Sequence, residues 1–148
     1  TLHYLNTMQP DRFKSVITVG GLIYHSKQLR EWIAKTGLNQ LMEWAKYHGP
    51  EKQEYLARVV WESRKLYGDA SFTPDILNTI KANWLVVLGD NDVAIPIQHG
   101  MEMYQSIPNS QLWIVPNGGH LPHLNADFQS EFLRVSLEFL NGKWDKKD

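Results

Sequence analysis

Two segments of this chain share one design, a short run of bulky apolar residues that ends in glycine and a titratable side chain. The first leads through Gly89 to Asp92, and the second leads through Gly119 to His120. Short apolar runs closed by glycine are typical of buried strands, and a helical pattern separates these two. Parallel strands joined by a helix end at the same edge of a sheet. We therefore expect the carboxylate of Asp92 and the imidazole of His120 to lie together at that edge.

The rest of the chain alternates between strand and helix patterns in the same way. Strands are predicted at 13–19, 85–88 and 112–115, and helices at 1–8, at 96–106 with Ile97, Met101 and Tyr104 on one face, and at 127–140. Thr73 and Pro74 are typical of an N-cap and a first helical position, so a short helix is predicted to begin there. Between about 28 and 67, Gly37 and Gly49 divide the pattern into three predicted helices. This alternation predicts an α/β fold whose parallel sheet is covered on both faces.

Three strands are few for a sheet of this class. The outer edge of the first predicted strand has no partner in the sequence, and an unpaired edge is an aggregation risk. The sequence also begins at Thr1 without an initiator methionine. We therefore expect the chain to be the back half of a larger fold.

Composition excludes several classes of partner and site. The net charge of -1 over 148 residues gives no large field that would attract nucleic acid or an anionic membrane. The absence of cysteine excludes disulfides, a cysteine nucleophile and thiolate metal sites, and it leaves the compartment undecided. No apolar run approaches the roughly 18 residues that span a bilayer, and no signal peptide is visible. A cytoplasmic location is the resulting expectation.

Asp92 and His120 have the chemistry of a proton-transfer pair. A carboxylate that accepts Nδ1–H of an imidazole fixes its tautomer and stabilises its charged form. The alternatives are that Asp92 only turns the chain into the next helix and that His120 is bonded to backbone. Asp90 competes for the role of the acid and His123 for that of the base. A metal site on the two histidines has no supporting motif, and Pro122 disfavours a helix that would align them.

Other catalytic and binding motifs are absent from the sequence. None of the serines has Gly-x-Ser-x-Gly surroundings, so the chain offers no candidate nucleophile. It contains no Gly-x-Gly-x-x-Gly pattern and no phosphate loop. The region from Trp32 to Tyr67 is rich in aromatic residues, which either pack together or line an apolar substrate pocket. The candidates for pocket residues are Trp32, Trp44, Tyr47 and Trp61.

The sequence resembles the C-terminal half of an α/β-hydrolase. The resemblance rests on Leu-Val-Val-Leu-Gly-Asp-Asn-Asp-Val-Ala-Ile-Pro at 85–96, on Ile-Val-Pro-Asn-Gly-Gly-His at 114–120 and on a closing amphipathic helix that ends Glu-Phe-Leu at 138–140. It implies that Asp92, rather than Asp90, is the acid and that His120 is the catalytic histidine. It further implies a core formed by 1–21 and 69–148 with a helical cap at 22–68. The first five strands, the oxyanion-hole loop and a Ser or Asp nucleophile are then missing.

The resemblance implies an esterase-like hydrolase that cleaves a small, apolar ester, amide or C–C substrate with a nucleophile–His–Asp triad. His120 would act as general base and then general acid, with Asp92 orienting it, and no cofactor or metal would take part. The 148-residue chain alone is expected to lack turnover. Two alternatives remain open. One is a non-catalytic hydrolase-fold protein that binds a ligand or a partner. The other is an interaction fragment that pairs with its absent half, or with a second copy, through the open sheet edge.

Overall fold

A computed structural model of the chain describes residues 12–45, 49, 52–55, 58–59, 62 and 71–144. These residues divide into two compact units, one within Thr1–Ile23 and Phe72–Asp148 and the other within Tyr24–Ser71. The cap role of 22–68 stays a prediction.

The described elements follow one another in the order strand, helix, helix, strand, helix, strand, 3-10 turn, helix. They are β1 (Ser15–Val19), α1 (Lys27–Ala45), α2 (Pro74–Asn78), β2 (Asn83–Gly89), α3 (Gln98–Ser106), β3 (Ser110–Val115), a 3-10 turn (Pro122–Leu124) and α4 (Ala126–Leu140). At the start of α2, Thr73 Oγ1 accepts a hydrogen bond from the Ile76 N–H and Pro74 takes the first helical position. The predicted N-cap at Thr73 and first helical position at Pro74 are confirmed.

The three described strands form one parallel sheet in the order β1-β2-β3. Val87 of the central strand lies opposite Val19 of β1 and Trp113 of β3. From Trp84 to Gly89 every residue of β2 is buried, whereas β1 is half-buried throughout. Parallel strands covered on both faces have continuous apolar runs of this kind. The predicted α/β class with a parallel sheet is confirmed.

Helices cover both faces of the sheet. On one face, Leu85 and Val87 pack with Val135 and Phe139 of α4, and Phe128 and Phe132 of the same helix pack against this cluster. On the other face α3 packs against β2 and β3. The expectation that the closing helix is amphipathic is confirmed. The sheet is thereby fixed between α3 and α4, and its strand ends are set in position.

The face of α3 that is buried in the structure differs from the face that its apolar residues predict. Ile97, Met101 and Tyr104 are all more than a third exposed. The buried residues of α3 are His99, Gly100 and Met103. A Cβ at Gly100 would overlap the side chain of Leu88, so this glycine lets the helix approach the sheet closely.

The prediction that Gly37 separates two helices is wrong. The helix α1 runs without a break from Lys27 to Ala45. Glycine inside a helix costs only about 1 kcal/mol relative to alanine, and Gly37 is buried. The predicted helix at 1–8 lies outside the described residues, as do large parts of those predicted after residue 45. In the described parts of the chain, no helix combines the length and the apolar character that a membrane crossing requires.

Candidate active site

The loop after β2 holds Asp92 through its own backbone. The Oδ1 atom of Asp92 accepts hydrogen bonds from the N–H groups of Ala94 at 2.8 Å and Ile95 at 2.9 Å. Aspartate often binds the backbone two or three residues further on and so forms a tight turn. The side chain of Asp92 is 0% exposed. The alternative interpretation, that Asp92 turns the chain, therefore holds for its Oδ1 atom. The Oδ2 atom takes no part in the turn and is available to another partner.

The loop after β3 carries His120 back toward the end of β2. Asn117 has a φ of 58°, a left-handed conformation that asparagine tolerates better than most residues. The Gly118 N–H donates to the Val115 carbonyl at 3.1 Å, and the Asn91 N–H donates to the Gly118 carbonyl at 2.9 Å. This last bond joins the two loops directly.

The joined loops bring Asp92 and His120 into contact. The His120 Nδ1 atom lies 2.8 Å from Asp92 Oδ2. The imidazole side chain is 43% exposed, while its carboxylate partner is wholly buried. With an ionised carboxylate beside it, Nδ1 is the protonated nitrogen and donates the bond. The other ring nitrogen, Nε2, is then free of the acid and able to exchange a proton.

The contacts of Asp92 also fix its charge. Burial alone raises the pKa of this carboxyl. The hydrogen bond from His120, those from the Ile95 and Ala94 N–H groups, and the charge of His120 outweigh burial, so the pKa lies below its ordinary value of 3.8. Asp92 is therefore ionised at neutral pH and able to stabilise a protonated imidazole.

Glycine at the end of β2 makes the close approach of the loops sterically feasible. A Cβ at Gly89 would overlap the backbone of Gly118 and Gly119. Any other residue at this position would push the loop that carries His120 away from the strand end. The sequence pattern pointed to this glycine as a strand terminator, and its role in loop packing becomes visible only in the structure.

The competing candidates lie apart from the pair. Asp90 is exposed, and its backbone N–H donates to the Val115 carbonyl at 3.3 Å. His123 is half-buried, and its ring centroid lies 5.2 Å from that of Phe132 of α4. Within the described parts of the chain, no three His, Cys, Asp or Glu residues form a group that would hold a metal ion.

The four aromatic residues predicted to line a pocket are only partly described. Trp32 is half-buried in α1, and its carbonyl accepts a hydrogen bond from Thr36 Oγ1 at 2.8 Å. Trp44 belongs to the same helix, but its side chain lies outside the described part, as do Tyr47 and Trp61 altogether. Their role in substrate binding stays a prediction.

Sequence comparison finds hydrolase relatives, although no protein-family model matches the chain. The chain is 30% identical over 87 residues to a 2-hydroxy-6-oxo-6-phenylhexa-2,4-dienoate hydrolase of Burkholderia cepacia, a match that covers 59% of this chain and 30% of that enzyme. It is 28% identical over 133 residues to 2-hydroxy-6-oxononadienedioate/2-hydroxy-6-oxononatrienedioate hydrolase 2 of Pseudomonas putida, covering 88% of this chain and 41% of the relative. The chain thus spans less than half the length of either enzyme.

Structure comparison identifies the fold. A serine hydrolase from the polyaromatic hydrocarbon-degrading bacterium Cycloclasticus zankles aligns with 98% of this chain and 61% of its own, with a TM-score of 0.67 and 21% sequence identity. At this level of identity the likeness establishes the fold, which is that of the α/β-hydrolases. Its parallel sheet and this structural likeness show that the chain has the α/β-hydrolase fold, and the proteins that it resembles in sequence are hydrolases.

Proposed function

We propose that Asp92 and His120 are the acid and the base of a nucleophile–His–Asp hydrolase. The observation that carries this proposal is the 2.8 Å contact between His120 Nδ1 and the buried Asp92 Oδ2. Both residues follow the carboxyl ends of neighbouring parallel strands, where open α/β sheets place their sites. The contact supports an imidazole held in one tautomer with its second nitrogen exposed to a reactant.

The proposed proton transfers follow from this tautomer. His120 Nε2 takes the proton from a serine hydroxyl, or from a water molecule if the nucleophile is an aspartate. With a serine, the same nitrogen gives this proton to the leaving group as the acyl-enzyme forms, then takes a proton from water and returns it to the serine oxygen as the acid is released. With an aspartate, the nitrogen gives the proton taken from water to the alkoxide that leaves the ester intermediate, so the ring ends either cycle neutral. Asp92 stays ionised throughout and stabilises the transient imidazolium. General acid–base catalysis of this kind contributes about 10²–10⁴-fold to a rate. The nucleophile belongs to residues beyond those described.

The proposed substrate class comes from the relatives. One relative is named for a 2-hydroxy-6-oxo dienoate and the other for a 2-hydroxy-6-oxo dienedioate and trienedioate. The 6-oxo group of such a compound is a ketone, and we propose the C–C bond beside it as the bond that is cleaved. Hydrolysis adds the elements of water across that bond, so the acyl side becomes a carboxylic acid and the carbon side takes up a proton. Trp32 and the predicted aromatics Trp44, Tyr47 and Trp61 would bind the apolar part of such a substrate. An ester or amide is the simpler alternative within the same mechanism.

The test compares two histidines that lie three residues apart. The natural polypeptide that carries this sequence is assayed with 2-hydroxy-6-oxo-6-phenylhexa-2,4-dienoate, by loss of the absorbance of its conjugated system, and with 4-nitrophenyl acetate. His120→Ala is expected to lower kcat by about 10²–10⁴-fold. The matched control His123→Ala removes the ring that lies against Phe132 and is expected to leave kcat within about threefold of wild type.

Labelling with a fluorophosphonate identifies the nucleophile. An activated serine reacts with the probe, and this reaction is expected to be lost in His120→Ala, whereas an aspartate nucleophile gives no labelling although hydrolysis remains. Turnover that survives His120→Ala would contradict the proposal. Absence of hydrolysis of both substrates, combined with ligand binding, would favour a non-catalytic hydrolase-fold binding protein instead.

A further inference from the structure

Gly20 ends the strand β1 directly beside the candidate base. Its N–H donates to the Val87 carbonyl at 3.0 Å, so the ladder between β1 and β2 extends to this residue. Gly20 is buried and has a φ of 60°, a left-handed conformation that a residue with a side chain rarely adopts. Both its position and its conformation are therefore closely constrained.

The missing side chain of Gly20 leaves the space that His120 fills. A Cβ at this position would lie 2.5 Å from the backbone carbonyl oxygen of His120. It would also lie 2.9 Å from Nδ1 and 2.9 Å from Cε1 of the ring. Real Cβ atoms do not approach other atoms this closely, and a backbone carbonyl yields only when its loop moves. Since Nδ1 is the atom that bonds Asp92, such a movement acts on the acid–base contact itself.

We propose that Gly20 is a positioning residue, whose lack of a side chain sets the place of the His120 ring against Asp92. The inference rests on the proposed function for its effect on catalysis, but the contact with His120 is independent of it. Gly20 touches neither substrate nor reacting atoms in this account. It acts by limiting where His120 is able to lie.

Neighbouring glycines do not share this constraint. A Cβ at Gly21 would lie 3.3 Å from the flexible end of Met103, a contact that a small shift relieves. A Cβ at Gly119, which directly precedes His120, would have nothing within 4 Å. Gly142, just after α4, shares the positive φ of Gly20 at 73°. These residues supply matched controls for space and for backbone strain.

The experiment combines one measurement on the wild type with three variants in the natural polypeptide. In the wild type, a nuclear Overhauser effect between Hα of Gly20 and Hε1 of His120 is expected. Gly20→Ala is expected to lower kcat by about 10²-fold with KM within about threefold, because the base is displaced while binding is retained. The downfield signal of the His120 Nδ1 proton, which reports its bond to Asp92, is expected to disappear.

The controls separate displacement of the ring from loss of stability. Gly119→Ala adds a methyl group in open space, and Gly142→Ala adds comparable backbone strain after α4. Both are expected to keep the Nδ1 proton signal and to keep kcat within about threefold of wild type. If Gly20→Ala unfolds, the Overhauser effect in the wild type decides the question.

Two results would overturn the inference. One is the absence of the Overhauser effect between Gly20 and His120. The other is a folded Gly20→Ala protein that keeps both its kcat and its downfield proton. A wild type without hydrolase activity would sink the proposed function alone, since the two spectroscopic measurements would still decide the role of Gly20.

Discussion

Asp92 and His120 are bonded to each other, yet the loops that carry them hold them in different ways. The carboxylate of Asp92 is wholly buried and accepts backbone hydrogen bonds from Ala94 and Ile95 as well as the bond from His120. The His120 side chain is 43% exposed, and the loop that carries it packs closely against Gly20 and Gly89. The proposed acid is thus buried within the folded structure, whereas the proposed base is partly exposed to solvent. The difference indicates that stability and reactivity are divided between the two partners.

The largest expected effect separates the two residues by stability. Asp92→Ala removes the acceptor of two backbone N–H groups in a buried turn, and an unsatisfied buried donor is costly. We expect a loss of about 3 kcal/mol in the free energy of unfolding, together with loss of activity. His120→Ala is expected to lower activity to a similar extent but to cost only about 1 kcal/mol of stability, because water that enters the exposed ring site replaces the bond to Asp92 Oδ2. Urea denaturation measures the free energy of unfolding of both variants. Equal destabilisation by the two would contradict the difference between the buried carboxylate and the exposed imidazole.

The next expected effect separates the two oxygens of Asp92. Asp92→Asn keeps an acceptor for Ala94 and Ile95 when the amide oxygen takes the place of Oδ1. Its NH₂ group then faces His120 and favours the wrong tautomer. We expect kcat to fall by about 10²–10⁴-fold while the free energy of unfolding falls by only about 1 kcal/mol. A stability loss as large as that of Asp92→Ala would show that the turn needs the charge.

Acid stability gives a third test of the buried partner. Because the folded-state pKa of Asp92 lies below its ordinary value, this carboxyl contributes stability that is fully present above its unfolded-state pKa. That contribution is lost as the pH falls through the folded-state pKa. Asp92→Asn is therefore expected to flatten the decline in stability between neutral and strongly acidic pH. Melting temperatures across this range measure the effect, and unchanged slopes would argue against an ionised, stabilising Asp92.

The smallest expected effect concerns the rival acid. Asp90 is exposed, and its backbone N–H donates to the Val115 carbonyl at the start of the neighbouring loop. Asp90→Asn is expected to change the free energy of unfolding by less than about 0.5 kcal/mol and kcat by less than about threefold. A loss of activity as large as that of Asp92→Asn would transfer the role of the acid to Asp90.

The sequence predicts the meeting of Asp92 and His120 because a general rule governs it. Apolar runs identify the strands, and parallel connection brings their ends to one edge. The role of Gly20 follows from no such rule, because it depends on a contact between residues a hundred positions apart in the chain. The burial of His99 and Gly100 on α3 is equally hidden, since the apolar stripe marks the opposite face. Periodicity locates elements, while close packing decides which side of an element is buried.

A double-mutant cycle tests most directly whether Asp92 and His120 work as one unit. The values of kcat/KM are measured for Asp92→Ala, for His120→Ala and for the protein that carries both changes. If the acid acts only through the base, the double variant is expected to be no less active than His120→Ala alone. Losses that add on a logarithmic scale would mean that the two residues act separately and would contradict the account.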